Sequence, residues 1–161
     1  MAAHPLLIIW HSRTGASEAL ARAAFDGAGE GGKLLRCDEV HESDLLDAKG
    51  YVFCSPENLA ALSGAMKEMF DRLYYPLLGR IEGRPFSSII AAGSDGSGAQ
   101  RQLDRIATGW RLRRVADPIV IKLAADTPEA ILATKVVPDR DLDQARNLGA
   151  AMVEGLRHGI F

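Results

Sequence analysis

The sequence lacks most of the features that identify specialised classes of protein. It has only two cysteines, Cys37 and Cys54, and they stand apart without the C-x-x-C spacing of redox or zinc motifs. The four histidines form no ligand spacing with cysteines or carboxylates, so no metal site is predicted. The favoured interpretation of the two cysteines is small core residues in a reducing compartment, although the sequence does not exclude a disulfide between them.

Strong charge and long hydrophobic runs are also missing. The formal net charge is -2, from 19 basic and 21 acidic side chains, which gives too weak a field to attract nucleic acid or an anionic membrane. The apolar run near the amino terminus is too short to cross a bilayer and lacks the basic flank of a signal peptide. We therefore expect a cytoplasmic protein with neither nucleic acid nor membrane as a partner.

What the chain does contain is a regular alternation of apolar runs and helical patterns. With 161 residues and 47% hydrophobic content, a single domain over residues 1–161 is expected, and we find no repeat or linker. Buried strands are predicted at 6–10, 33–37, 51–54, 87–92 and 119–123. Helices are predicted at 18–25, 63–78, 100–113 and 139–157, with a short helical turn within 38–49.

This order of elements predicts an α/β fold with a three-layer, doubly wound parallel sheet. Parallel strands need right-handed crossovers, and the predicted helices supply them. Ligands of such sheets bind outside the carboxyl ends of the strands, where the strand order reverses. The loops after the first, third and fourth strands are rich in glycine, serine and proline, so they are expected to form one site.

The loop after the first strand has the composition of a phosphate site. Three hydroxyl residues, Ser12, Thr14 and Ser17, surround Gly15 at the start of a helix, and Arg13 adds a positive charge. Hydroxyls and free amide groups at a positive helix end suit a phosphate. The alternative is an ordinary helix start capped by Ser17.

These residues resemble known proteins at two linked places. Residues 12–17 are similar to the phosphate loop of flavodoxins. Residues 55–58 with 63–72 resemble the third-strand loop and following helix of the NAD(P)H-dependent FMN reductase and WrbA-like branch of the flavodoxin-like superfamily. The resemblance covers about residues 5–123 and implies a flavodoxin-like sheet of five parallel strands in the order 2-1-3-4-5.

The resemblance also implies FMN as the cofactor. The residues that would contact it are Ser12, Arg13, Thr14, Gly15, Ala16 and Ser17, then Pro56, Glu57, Asn58 and Leu59, and finally Gly93, Ser94, Asp95, Gly96 and Gly98. The sequence departs from the family in one respect, because no aromatic residue follows Ser55-Pro56 to stack on the flavin ring. The ring would instead be covered by Leu59, by Trp10 or Trp110, or by an aromatic residue of a partner subunit. Glu57 would disfavour an anionic reduced flavin if it points inward.

Three further features have more than one interpretation. The glycines of 93–98 have the wrong spacing and position for a dinucleotide fingerprint, and a flexible turn is as good an account of them as ligand contact. His11 either contacts the ligand or has a satisfied structural role, which is favoured. A basic stretch is a solvated helix face or a site for the phosphates of NAD(P)H or an acidic partner; its members are Arg101, Arg105, Arg111, Arg113 and Arg114.

The predicted function is an FMN-dependent oxidoreductase that passes electrons from NADH or NADPH to a quinone or similar small-molecule acceptor. No side chain is assigned a catalytic role, because the cofactor would carry the chemistry. The alternative is a non-enzymatic flavodoxin-type electron carrier, against which the low net charge argues mildly. A signalling receiver domain has the same topology, but its acidic residues are absent from the strand ends. We expect a monomer or a homodimer.

Overall fold

The computed structural model describes residues 3–161, which contain seven strands and six α-helices. The strands are β1 (Leu6–Trp10), β2 (Gly32–Arg36), β3 (Gly50–Asn58), β4 (Ala61–Leu62), β5 (Pro85–Ala92), β6 (Arg113–Arg114) and β7 (Ile119–Lys122). The helices are α1 (Ala16–Ala28), α2 (Glu42–Asp47), α3 (Gly64–Leu77), α4 (Ser97–Gly109), α5 (Pro128–Leu132) and α6 (Asp139–Arg157). None of the helices in this part of the chain has the length and apolar character needed to cross a bilayer.

The sheet is parallel along β2-β1-β3-β5, and β6 and β7 both pair with the free edge of β5. β6 pairs with the start of β5 and β7 with its end, so together they occupy the fifth position. The predicted fold and the order 2-1-3-4-5 are therefore confirmed, with the fifth strand split at residues 115–118. β4 is antiparallel to β3 and adds a small hairpin that the sequence did not predict.

Side chains alternate between the two faces of the sheet, as strand geometry requires. Leu7, Ile9 and Phe53 face α3 and α4, whereas Ile8 and Val52 face α1 and α6. Both faces are covered, which is why the central strands are continuous apolar runs in the sequence. Cys37 and Cys54 are free and buried, as their favoured interpretation predicted.

Helix α1 continues past the point where the glycines were predicted to end it. Gly27 lies inside the helix because α6 passes very close: a Cβ there would lie 1.8 Å from the carbonyl oxygen of Arg146. Gly149 makes the reciprocal contact, at 1.9 Å from the carbonyl oxygen of Ala24. Gly27 is thus a packing residue between two helices rather than a helix stop.

Strand β3 continues through Pro56, where the sequence predicted its end. The Cys54 carbonyl accepts from the His11 N–H at 3.1 Å, so this edge of β3 faces β1. Two residues on, Pro56 faces the same side, but β1 has already ended at Trp10. The missing proline N–H therefore costs no sheet hydrogen bond.

Helix boundaries account for the other differences. α4 was predicted at 100–113, but it ends at Gly109, and residues 113–114 pair with β5 instead. Ser63, the first residue of the predicted helix 63–78, caps α3, its hydroxyl accepting from the Met66 N–H at 3.4 Å. α6 begins at Asp139 without a side-chain cap, so its acidic first turn acts through the helix dipole.

Candidate functional site

The loop after β1 turns tightly into α1. Gly15 has φ 102, a conformation that glycine adopts without strain, and its N–H donates to the Ser12 hydroxyl at 3.0 Å. Because Gly15 is the N-cap, no side chain caps α1. The first N–H groups of the helix are therefore available to an anion. Arg13 is exposed beside them.

Ser17 lies in the first turn of α1 and is only 1% exposed. Its hydroxyl oxygen is buried and has no hydrogen-bond partner within the described part of the chain. Native structures leave few buried polar atoms unpaired, so such an atom needs an explanation. Ser17 is therefore not an ordinary helix cap, which was the alternative interpretation of this loop.

A segment late in the chain holds the other side of this loop. The Lys135 N–H donates to the Thr14 carbonyl at 2.8 Å, and the Thr134 methyl group lies 3.9 Å from where a Gly15 Cβ would be. Residues 134 and 135 were not predicted to take part in the site. No local pattern could have indicated them, because the contact joins opposite ends of the sequence.

The loop after β3 is a hairpin turn between β3 and β4. Leu59 and Ala60 form its tip, with φ values of 51 and 63. Asn58 pairs with Ala61 beneath the tip. The Leu59 side chain is fully exposed, with a relative accessibility of 102%. Leu59 is thus the fully exposed apolar residue of the predicted second loop.

The carboxylate of Glu57 points to the amino end of α4. Its carboxylate accepts from the Gly96 N–H at 2.8 Å and from the Ala99 N–H at 3.0 Å. These groups belong to the amino end of α4, so the loops after β3 and β5 are joined directly. The carboxylate of Glu57 is therefore engaged by two backbone N–H groups.

The loop after β5 is organised by contacts of its own. The Gly93 carbonyl accepts from the Ala125 N–H at 3.1 Å, and Gly96 has φ 87. The Ser97 hydroxyl donates to the Asp95 carboxylate at 2.8 Å, and this bond lowers the pKa of Asp95. Ser94 is exposed. Hydrogen bonds within the loop and to Ala125 therefore define the shape of this turn.

His11 connects the first loop to α3. Its Nδ1 lies 2.8 Å from the Ser63 hydroxyl. Burial lowers the pKa of His11, and the nearby charges of Arg36 and Arg13 lower it further, against a smaller opposing effect of Asp38. The hydrogen bond between His11 Nδ1 and the Ser63 hydroxyl is the satisfied structural role that the sequence favoured.

Neither tryptophan offers an exposed ring to the loops. Trp110 packs in the core, with its ring centroid 5.0 Å from that of Phe70. Trp10 is 8% exposed, and the Arg36 guanidinium lies 5.7 Å above its ring. Trp10 and Trp110 are thus poor candidates for a flavin cover.

The basic stretch divides into two parts. Arg114 is part of the fold: it bonds Asp104 at 2.6 Å and Ser88 at 2.7 Å and lies 4.7 Å from the Phe86 ring centroid. The others are exposed on α4 and just after it; they are Arg101, Arg105, Arg111 and Arg113. Among the described residues no cluster of three or more metal-binding side chains occurs.

The three predicted loops thus meet at the carboxyl ends of the strands. His11 with Ser63 links the first loop to the start of α3, and Glu57 with Gly96 links the second loop to the third. The sequence did not indicate that the loops differ in how their polar groups are hydrogen-bonded. The first retains the buried, unpaired hydroxyl of Ser17, whereas the second and third are joined to each other by hydrogen bonds.

Comparison with known proteins agrees with this geometry. The chain is 27% identical over 158 residues to a flavodoxin of Aquifex aeolicus, a match that covers 92% of this chain and 85% of the other. Its fold is similar to a flavodoxin from the domain Archaea, with a TM-score of 0.75 and 16% identity over 95% of this chain and 99% of that one. The WrbA-like protein of Agrobacterium tumefaciens has a TM-score of 0.72 and 19% identity over 95% and 97% of the two chains.

A family model identifies the branch. The model for NADPH-dependent FMN reductases matches residues 38–124, more than half of the chain, and includes the hairpin and the start of α4. The match begins after the first loop and ends where the sequence resemblance also weakened. The resemblance stated from the sequence is therefore confirmed: the chain belongs to the NADPH-dependent FMN reductase family.

Proposed function

We propose that the protein binds FMN across these three loops and uses it to pass electrons from NADH or NADPH to a quinone or similar small acceptor. The observation that carries the proposal is the buried, unpartnered hydroxyl of Ser17 at the amino end of α1. Leaving such a group unpaired costs about 1–3 kcal/mol. A phosphate oxygen would supply the acceptor that Ser17 lacks.

The other residues of the first loop fit the same group. No side chain caps the first N–H groups of α1, so these groups are free to bind an anion. The helix dipole also favours negative charge at this end of the helix. Ser12 holds the turn through the Gly15 N–H, and Gly15 leaves the approach free of a side chain. Arg13 adds an exposed positive charge beside the loop.

The hairpin and the loop after β5 fit the ring end of the cofactor. Leu59 would cover a ring face and exclude water there, without the stacking that an aromatic residue provides, worth about 0.5–1.5 kcal/mol. When bound, FMN would supply the redox chemistry, accepting electrons from NAD(P)H and giving them to the acceptor. We assign no acid or base role to a side chain.

A second candidate is a flavodoxin-type electron carrier. The Aquifex aeolicus relative, which is named a flavodoxin, supports it. Carriers dock on their partners through complementary charge, and a net charge of -2 gives little field for that purpose. We therefore favour the enzyme, acting as a monomer or homodimer in the cytoplasm.

The test is to add FMN to the purified protein and follow absorbance with NADH, NADPH and a quinone. Rapid bleaching of the bound flavin, followed by reoxidation when the quinone is added, is expected for the enzyme. Tight flavin binding without oxidation of either nucleotide would favour the carrier. Protein that does not bind FMN at all would rule out both candidates, and free FMN serves as the control for reduction without protein.

A further inference from the structure

The carboxylate of Glu57 caps the amino end of α4, a role that normally belongs to the side chain of the N-cap residue. Gly96 is the N-cap residue and has no side chain, and Ala99 lies in the first turn. Glu57 accepts from the N–H groups of both, at 2.8 and 3.0 Å. A negative group here also suits the positive end of the helix dipole. The cap comes from a strand 39 residues away from Gly96 in sequence.

Two further contacts fix the hairpin against the same helix. The Leu62 N–H donates to the Gln102 side-chain oxygen at 2.7 Å. A Cβ on Gly98 would lie 2.2 Å from the Ala60 carbonyl oxygen, so the hairpin backbone rests directly on the first turn of α4. The β3–β4 hairpin is therefore attached along its length to one helix.

The tip of the hairpin needs this attachment. Leu59 and Ala60 both have the left-handed backbone conformation, which is unfavourable for residues with a Cβ. The Leu59 side chain is fully exposed, so burial does not stabilise its conformation. Strained conformations persist where the surrounding structure holds them, and such positions cluster at ligand sites.

We propose that Glu57 is a positioning residue that holds Leu59 at the flavin ring without contacting the flavin itself. The inference rests on the proposed function, because it needs a flavin at this edge of the sheet. It reassigns Glu57, which the sequence placed among the cofactor contacts. Glu57 acts through α4 and the hairpin, and Leu59 makes the contact.

The first experiment measures amide hydrogen exchange in the ligand-free protein. In Glu57→Ala, exchange at the Gly96 and Ala99 amides should become roughly tenfold faster or more, because both lose a bond to a charged acceptor. Glu57→Gln keeps one acceptor oxygen, so it should give an intermediate rate. The matched control is Glu82→Ala, which removes the same charge from an exposed residue before β5, at the opposite edge of the sheet. Unchanged exchange at Gly96 and Ala99 in Glu57→Ala would overturn the proposal.

The second experiment is a double-mutant cycle on flavin affinity. Glu57→Ala and Leu59→Ala should each weaken FMN and riboflavin equally, by roughly fivefold, because the hairpin lies at the ring and not at the phosphate. The double variant should be no weaker than Leu59→Ala alone. Additive losses would show that Glu57 acts independently of Leu59 and would overturn the proposal.

The two experiments separate this inference from the function beneath it. If the unsubstituted protein binds no FMN, the proposed function fails, and the role of Glu57 at a flavin fails with it. The exchange rates of the ligand-free protein would still decide whether Glu57 holds the hairpin. If FMN binds but the cycle is additive, only the positioning role is lost.

Discussion

Helices α1 and α4 begin in nearly the same way, but only α4 has its amino end capped by a side chain of the protein. Each follows a buried parallel strand and starts after a left-handed glycine, Gly15 with φ 102 and Gly96 with φ 87. Neither glycine can supply a side-chain cap. At α4 the carboxylate of Glu57 fills the gap, whereas at α1 the hydroxyl of Ser17 is left buried and unpaired. One helix end is completed by the protein, and the other is suited to a ligand.

The difference shows that a glycine-rich turn before a helix is not by itself a binding site. Both turns contain hydroxyl and glycine residues, and both lead into the positive end of a helix. What separates them is a single carboxylate from the neighbouring strand.

Removing two of the three hydroxyls of the first loop, those of Thr14 and Ser17, should affect phosphate binding most. Thr14→Ala with Ser17→Ala should weaken FMN by about a hundredfold, since hydrogen bonds to a charged group contribute about 1.5–3 kcal/mol each. Riboflavin, which lacks the phosphate, should lose little affinity. Fluorescence titration with both flavins measures the two losses.

The matched control changes a hydroxyl at the other helix end. Ser97→Ala removes a hydroxyl that bonds Asp95 on the surface, and FMN affinity should change little. Equal losses of FMN and riboflavin in the first-loop variant would mean that this loop does not bind phosphate.

A methyl group on Gly98 should separate the hairpin from α4. Its Cβ would lie 2.2 Å from the Ala60 carbonyl oxygen, so the backbone must shift, and Gly98→Ala should lower the free energy of unfolding by about 1–3 kcal/mol. Gly109→Ala in the same helix meets no atom within 4 Å and should leave stability unchanged or slightly raised. Denaturant unfolding of both variants measures the difference, and equal stabilities would contradict the close contact.

The smallest effect concerns His11, which connects the first loop to α3. The pKa of His11 is lowered from 6.5 by burial and by Arg36 and Arg13, so the unfolded chain binds the proton more readily than the folded one. The stabilisation is present above pH 6.5 and is lost as the pH falls below it. The free energy of unfolding should therefore fall less in His11→Gln than in the unsubstituted protein on going from about pH 7.5 to about pH 5. An identical pH dependence in both proteins would show that His11 does not titrate in this way.

Local patterns in the sequence were sufficient for the architecture and for the place of the site. Continuous apolar runs such as 6–10 and 51–54 indicate strands buried on both faces, and parallel strands of this kind require helical crossovers. Turns rich in glycine, serine or proline after three of these strands then indicate the carboxyl ends of the strands as the candidate site. These inferences succeed because each depends on neighbours within a few residues.

The roles of individual residues in and near the loops depended on contacts between residues that are distant in the sequence. Glu57 reads as a ligand contact in the sequence, and only its distance to Gly96 assigns it to α4. Gly27 reads as a helix stop, and only the approach of α6 makes it a packing residue. Lys135 carries no signal at all for its bond to Thr14. The sequence determined which loops meet, and the tertiary structure decided which polar groups there are already paired, because pairing depends on side chains brought together by the whole fold.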